Sequence, residues 1–145
     1  MIVKDLYDQD FFQWTTRNAE LLRAGRVQEA DLEHIAEEIE DMGKSQRRAV
    51  ESRLEVLLAH LLKWRFQPDH RGPSWKATIK LQRSKIAKVL RENPSLRNAP
   101  AEELPDAYRN AVIQAAGETA LAEESFPPSC PFPLEQILDP GFFPQ

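Results

Sequence analysis

The chain has 145 residues, 41% hydrophobic and 29% charged, with a formal net charge of −4. That composition suits one globular domain spanning residues 1–145 and excludes a disordered, collagenous or long coiled-coil polypeptide. A chain of this length buries roughly 68–70% of its unfolded surface, enough for a core without a disulfide or metal staple.

The modest net charge conceals a strong asymmetry. Between Lys63 and Arg91, nine basic residues (Lys63, Arg65, Arg71, Lys76, Lys80, Arg83, Lys85, Lys88 and Arg91) stand against one acid, Asp69, so this segment is +8 and the remainder −12. Six acids, Asp31, Glu33, Glu37, Glu38, Glu40 and Asp41, fall within eleven residues that contain no Lys or Arg. The single cysteine, Cys130, excludes an intrachain disulfide framework and a Cys-only zinc site, in keeping with a reducing compartment. Residues Met1 to Asp10 carry one Lys, three Asp and no apolar run, unlike a secretory signal. The longest apolar run, Leu54 to Leu62, is broken by Glu55 and His60 and falls short of the ~20 residues of a membrane span. A cytoplasmic protein with no membrane partner is the expectation.

Apolar spacing is helical throughout, without sustained alternation or an Asn-Gly or Asp-Gly hairpin signal, and this predicts an all-α chain. The first helix is expected from about Asp8 or Asp10 to Ala24, with Phe11, Thr15, Asn18, Ala19 and Leu22 on one face. Asp5 or Asp8 would cap it and Gly25 would supply a left-handed stop. Asp31 is a candidate cap for the second helix. At about 100° per residue, Leu32, Ile35, Ala36, Ile39, Met42, Gln46, Val50, Leu54, Leu57 and Leu61 keep one phase through Gly43. One long helix from Asp31 to Trp64 follows, with Gly43 read as a place where another helix crosses closely. Pro68, Gly72 and Pro73 mark a turn. Trp75, Ile79, Gln82, Ile86, Val89 and Leu90 then form the buried face of a helix that Asn93-Pro94 stops near Glu92. A fourth helix, from about Pro100 or Pro105 to Ala122, is expected to bury Leu104, Tyr108, Ala111, Ala115 and Ala122, and the four make a bundle.

Residues 126–145 hold six of the eleven prolines and four of the seven phenylalanines: Phe126, Phe132, Phe142 and Phe143. Prolines prevent regular structure there except a helical turn over Leu134 to Leu138 behind Pro133. The aromatic content is foreign to disordered segments and predicts a tail that wraps over the bundle.

Several segments carry a family resemblance. They are Leu6-Tyr-Asp-Gln-Asp-Phe-Phe-Gln-Trp14, Asp31 through Gly43 with its Glu-Glu-Ile-Glu-Asp-Met-Gly core, Leu61-Leu-Lys-Trp64 with Gln67-Pro68 and Ser74-Trp75, and Cys130-Pro-Phe-Pro-Leu-Glu-Gln-Ile-Leu138. In these, over nearly its whole length, the chain resembles the bacterial family called Domain of Unknown Function 29. The resemblance implies a small all-helical protein and supplies no catalytic or binding residues.

The residues themselves limit the chemistry. Asp31-x-x-His34 with Glu37 and Glu38 has the flavour of helix-borne metal ligation. A di-iron bundle, however, needs two Glu-x-x-His units, and none occurs. On one helix His34 and His60 stand roughly 39 Å apart at ~1.5 Å per residue, too far to share an ion. No metal and no cofactor is expected. Glu33, Glu37 and Glu40 share one helix flank and are expected to receive cations of the basic segment, with Glu40 and Lys44 an i, i+4 pair. Cys130 lies far in sequence from any His and precedes no helix that would lower its pKa, and the five glycines are too scattered to cradle phosphate. Catalytic residues are therefore not assigned.

The basic segment is the strongest functional signal. Lys63, Arg65, Arg71, Lys76, Lys80 and Arg83 are interleaved with Trp64, Phe66, His70 and Trp75, a mixture that nucleic-acid grooves use. Against that stand a pI of about 5.4 and the place of Trp75 on a buried stripe. The preferred reading is a non-enzymatic module that binds a protein partner, with these six residues as candidate contacts. Nucleic-acid binding through residues 63–91 is the alternative.

Overall fold

The computed structural model describes residues 2–145, and among them it is all-α: 78% helical, without a strand. The chain folds as two compact units, Met1–Ser45 and Gln46–Gln145.

In the first unit the expected opening helix is two helices, α1 (Val3–Gln9) and α2 (Phe11–Arg23). The break is at Asp10, which adopts φ −153° and ψ 87° and accepts the Gln13 N–H at 3.0 Å as an N-cap. α1 buries one residue, Leu6, and so leaves little periodic trace in the sequence. The covered face of α2 is Trp14, Asn18 and Leu21, while Phe11 and Leu22, expected inside, lie on the exposed side. The indole of Trp14 finds a hydrogen-bond partner inside the unit, and this rotates the buried face toward it. Gly25, at φ 74°, ends α2 as expected. Its N–H reaches the Leu22 carbonyl and the Arg26 N–H the Leu21 carbonyl, the paired bonds of a Schellman stop.

Helix α3 (Leu32–Phe66) is 35 residues long, about 52 Å at ~1.5 Å per residue, and passes through Gly43 unbroken. Asp31 starts it: its carbonyl accepts the Ile35 N–H at 2.9 Å and its carboxylate the His34 N–H at 3.4 Å. The expected close crossing at Gly43 is not found. A Cβ built there meets nothing within 4 Å.

The second unit holds the main core. Leu54, Leu57, Leu58, Leu61 and Leu62 of α3 pack with Ile79 and Ile86 of α4 (Pro73–Glu92) and with Ala107, Tyr108, Ala111 and Ala115 of α5 (Ala99–Glu118). Three alanines at i, i+4 and i+8 give α5 a flat ridge with no solvent exposure. α5 keeps Pro105 inside it and ends four residues before the expected Ala122, which is exposed. The tail covers this core. Phe126, Phe132 and Ile137 are buried and Phe142 and Phe143 pack partly buried against the cluster, with α6 (Leu134–Leu138) where the sequence predicts it. Ring centroids lie 5.3 Å apart for Phe66 and Phe126 and 5.1 Å for Trp64 and Phe143. Apolar tail residues thus replace water over the last turns of α3.

Candidate functional site

The six basic candidates separate by environment. Lys63 is buried beside Trp75, its ammonium 4.9 Å from the ring, and donates to Glu118 at 3.0 Å. That hydrogen bond holds the Glu118 carboxyl below the usual range against the opposing effect of burial. Arg83 is 4% exposed and donates to tail carbonyls: Nε to Ile137 at 2.7 Å, Nη2 to Gln136 at 3.3 Å and Nη1 to Pro140 at 3.5 Å. Arg71 spans from the Trp64 carbonyl, in the last turn of α3, at 2.7 Å to the Pro144 carbonyl at 3.4 Å. Arg65, Lys76 and Lys80 are exposed; Arg65 lies 5.9 Å from the Phe132 ring and Lys76 5.8 Å from Phe143.

Two of the six are therefore interior groups and a third is held by main-chain carbonyls. The sequence carries a signal for Arg83, which sits at i+4 from Ile79 and i−3 from Ile86, on the apolar stripe itself. Among the described residues the ion pairs of the basic segment are local to the second unit, Lys63 with Glu118 and Lys88 with Glu92 at 3.9 Å, and none reaches Glu33, Glu37 or Glu40, the acids expected to receive them.

The N-terminal unit contains a polar cluster that spacing alone did not reveal. Asp31 is 5% exposed and accepts from the Trp14 indole at 3.0 Å and from the His34 Nδ1–H at 2.7 Å. Its N–H donates to the Asn18 side chain at 2.8 Å, and Asn18 in turn donates to the Trp14 carbonyl at 2.8 Å. Burial disfavours the Asp31 carboxylate, but the bonds from His34 and Trp14 outweigh it and its pKa falls below the ordinary value. The same bond raises the pKa of His34. The ring of Tyr7 stands edge-on to the imidazole at 3.8 Å, and its hydroxyl donates to Glu38, which pushes the phenol up to about 12.

A carboxylate–imidazole pair is the orienting half of a catalytic dyad, and it needs a nucleophile or a bound water to act on. The hydroxyl of Tyr7, whose ring packs on the imidazole, is spent on Glu38. Asp31 instead joins the start of α3 to α2. Among the described residues no group of three or more His, Cys, Asp or Glu is placed to hold a metal ion, and Glu38, a candidate ligand, is bound to Tyr7. Cys130 is half-buried in the second unit, where burial pushes its thiol up, away from the reactive thiolate. No helix of the described residues is long and apolar enough to cross a membrane.

Neither a curated protein nor a solved structure matches the chain. The family model described as Domain of unknown function DUF29 matches residues 6–143, which takes in α2 to α6 whole, with the Asp31 cluster, the basic segment and most of the tail. With nearly its whole length matched, the chain belongs to the Domain of unknown function DUF29 family.

Proposed function

We propose that this protein is a non-enzymatic module that binds a protein partner, and that its N-terminal unit supplies the surface. One observation carries the reading. The apolar stripe of α3 keeps a single phase from Leu32 to Leu61, yet its two halves meet opposite fates. Val50, Leu54, Leu57 and Leu61 are fully buried, whereas Leu32, Ile39 and Met42 are 49, 62 and 68% exposed. Of ten large hydrophobic residues on the surface of the described chain, eight fall between Ile2 and Met42. Isolated surface hydrophobics are ordinary, but an aligned stripe on one helix face marks an interaction site. The engagement of the Tyr7 hydroxyl with Glu38 and the raised thiol of half-buried Cys130 favour binding over catalysis.

The test compares proteins retained from native cell extract by the wild type and by an Ile39→Asn, Met42→Asn variant whose far-UV circular dichroism is unchanged. A protein held by the wild type and lost by the variant, with the difference reproduced by the purified pair, is the expected result. Equal retention by both defeats the reading.

Exposed Arg65, Lys76 and Lys80 support nucleic-acid binding as the second reading. On the preferred reading, affinity for generic nucleic acid is weaker than the 10⁻⁴–10⁻⁶ M typical of non-specific binders at physiological salt. Micromolar binding with a log–log salt slope of about −0.7 to −0.9 per phosphate, lost in Lys76→Glu, Lys80→Glu, would install the alternative.

A further inference from the structure

We propose that the occupant of the α3 stripe is an amphipathic helix whose apolar face is bordered by Lys and Arg, contributed by a different protein. The inference rests on the binding role proposed for the N-terminal unit and specifies the partner's chemistry. Taking Leu32 as the origin at about 100° per residue, Ala36, Ile39 and Gly43 lie within about 40° of it. All are exposed, as is Met42 at the edge of the strip. The exposed strip from Leu32 to Met42 is about 15 Å long at ~1.5 Å per residue, the length of three turns of a facing helix. Ala36 and Gly43 leave a shallow lane between the larger side chains, and a Cβ at Gly43 would meet nothing within 4 Å. Helix-in-groove recognition uses such spaced apolar anchors.

Charge selects the occupant. Glu40, Glu33 and Glu37 line one side of the strip at about 80° to 140° on the same wheel, no Lys or Arg occurs between Asp31 and Asp41, and exposed Lys44, expected to pair with Glu40 from this flank, forms no ion pair with it among the described residues. All three are exposed, and Glu33 has one cation near it, exposed Lys4 at 3.6 Å. Asp31, His34 and Glu38, on another face, are engaged with Trp14 and Tyr7 and so are unavailable to a partner. A second copy of the chain docked antiparallel, stripe to stripe, would bring both sets of glutamates to one seam, which like-charge repulsion opposes. An anionic membrane is repelled for the same reason. A helix with basic flanks gains both the apolar burial and the ion pairs.

The experiment measures binding of three labelled synthetic 18-residue helical peptides to the full chain by fluorescence anisotropy. The first has a Leu stripe bordered by Lys, the second the same stripe bordered by Glu, and the third the Lys positions with Ser replacing Leu. The Leu/Lys peptide should bind at least tenfold more tightly than either control. Its affinity should fall tenfold or more in Ile39→Asn, Met42→Asn and several-fold in Glu33→Gln, Glu37→Gln, Glu40→Gln. Equal binding of the Leu/Lys and Leu/Glu peptides, both lost in the Ile39, Met42 variant, would overturn the basic-partner inference and leave the docking surface standing. Leu/Lys binding that is unchanged in that variant, or absent, would overturn the inference at its apolar half; the wild-type and variant comparison in cell extract judges the binding role separately. A dimer in sedimentation that Ile39→Asn, Met42→Asn abolishes, or stripe-dependent binding to vesicles of phosphatidylcholine with a minor fraction of phosphatidylglycerol, would replace the basic helix with a second copy or a membrane.

Discussion

Replacing Arg83 by Met separates an interior anchor from a surface contact. Methionine keeps most of the stem volume packed between α4 and the tail and removes the guanidinium. The short bond to the Ile137 carbonyl, 2.7 Å, is the chief loss, since the bonds at 3.3 and 3.5 Å are at the edge of useful geometry. Hydrogen bonds to charged groups contribute ~1.5–3 kcal/mol, and the carbonyls of the tail keep their desolvation cost once the donor is gone. Relief from burying the guanidinium offsets part of this, leaving a destabilisation of about 2–3 kcal/mol. In a unit of this size each kcal/mol shifts Tm by ~4–8 °C, so the variant should melt about 10–20 °C lower. Thermal melting followed by far-UV circular dichroism reads the shift, and chymotrypsin should cut at Leu138 and Phe142 sooner as the tail loosens. Arg83→Lys should recover part of the loss, because an ammonium cannot span all three carbonyls. A Tm within about 2 °C of the wild type, with an equally resistant tail, would refute the anchoring role and return Arg83 to the surface candidates.

Gly43→Ala should stabilise the chain by about 0.5–1 kcal/mol in urea titration, since an exposed glycine inside α3 has helical propensity to gain and no neighbour to strike. Among the three histidines, NMR titration should place His34 above the ordinary 6.5, through its bond to Asp31, and His60 below it, through burial. The His34–Asp31 pair then stabilises the N-terminal unit fully below pH 6.5 on the imidazole side, and this contribution fades as pH rises through the higher folded value. On the carboxylate side it holds above 3.8 and is lost as pH falls through the depressed Asp31 value. His34→Gln should flatten the alkaline limb in hydrogen-exchange measurements on α1 and α2. Both tyrosines, Tyr7 through Glu38 and Tyr108 through burial, should ionise near pH 12 in an ultraviolet titration; a phenol titrating near 10 in the folded protein would contradict those contacts.

Local physics made much of the fold legible. The unbroken phase of α3, its Asp31 start, the Gly25 stop, the proline boundaries of α4 and the turn at Leu134–Leu138 all follow from periodicity and capping, which act within a few residues. Which face of α2 lies inside was not legible, because Phe11 and Trp14 both satisfy a helical pattern. The choice fell to the indole N–H, whose acceptor lies 17 residues away at Asp31.

Periodicity states which side chains share a face and is silent on whether anything covers it. The stripe of α3 reads alike from Leu32 to Leu61, yet tertiary structure buries its second half under α4, α5 and the tail and leaves Leu32, Ile39 and Met42 in solvent. Charge behaves the same way. Composition alone assigned nine cations to one segment, but the fold divides them: Arg83 and Arg71 bind carbonyls more than 50 residues downstream and Lys63 meets Glu118, while Arg65, Lys76 and Lys80 remain outside. A buried cation needs acceptors brought to it in space, and only the folded tail, closing over α4, supplies them.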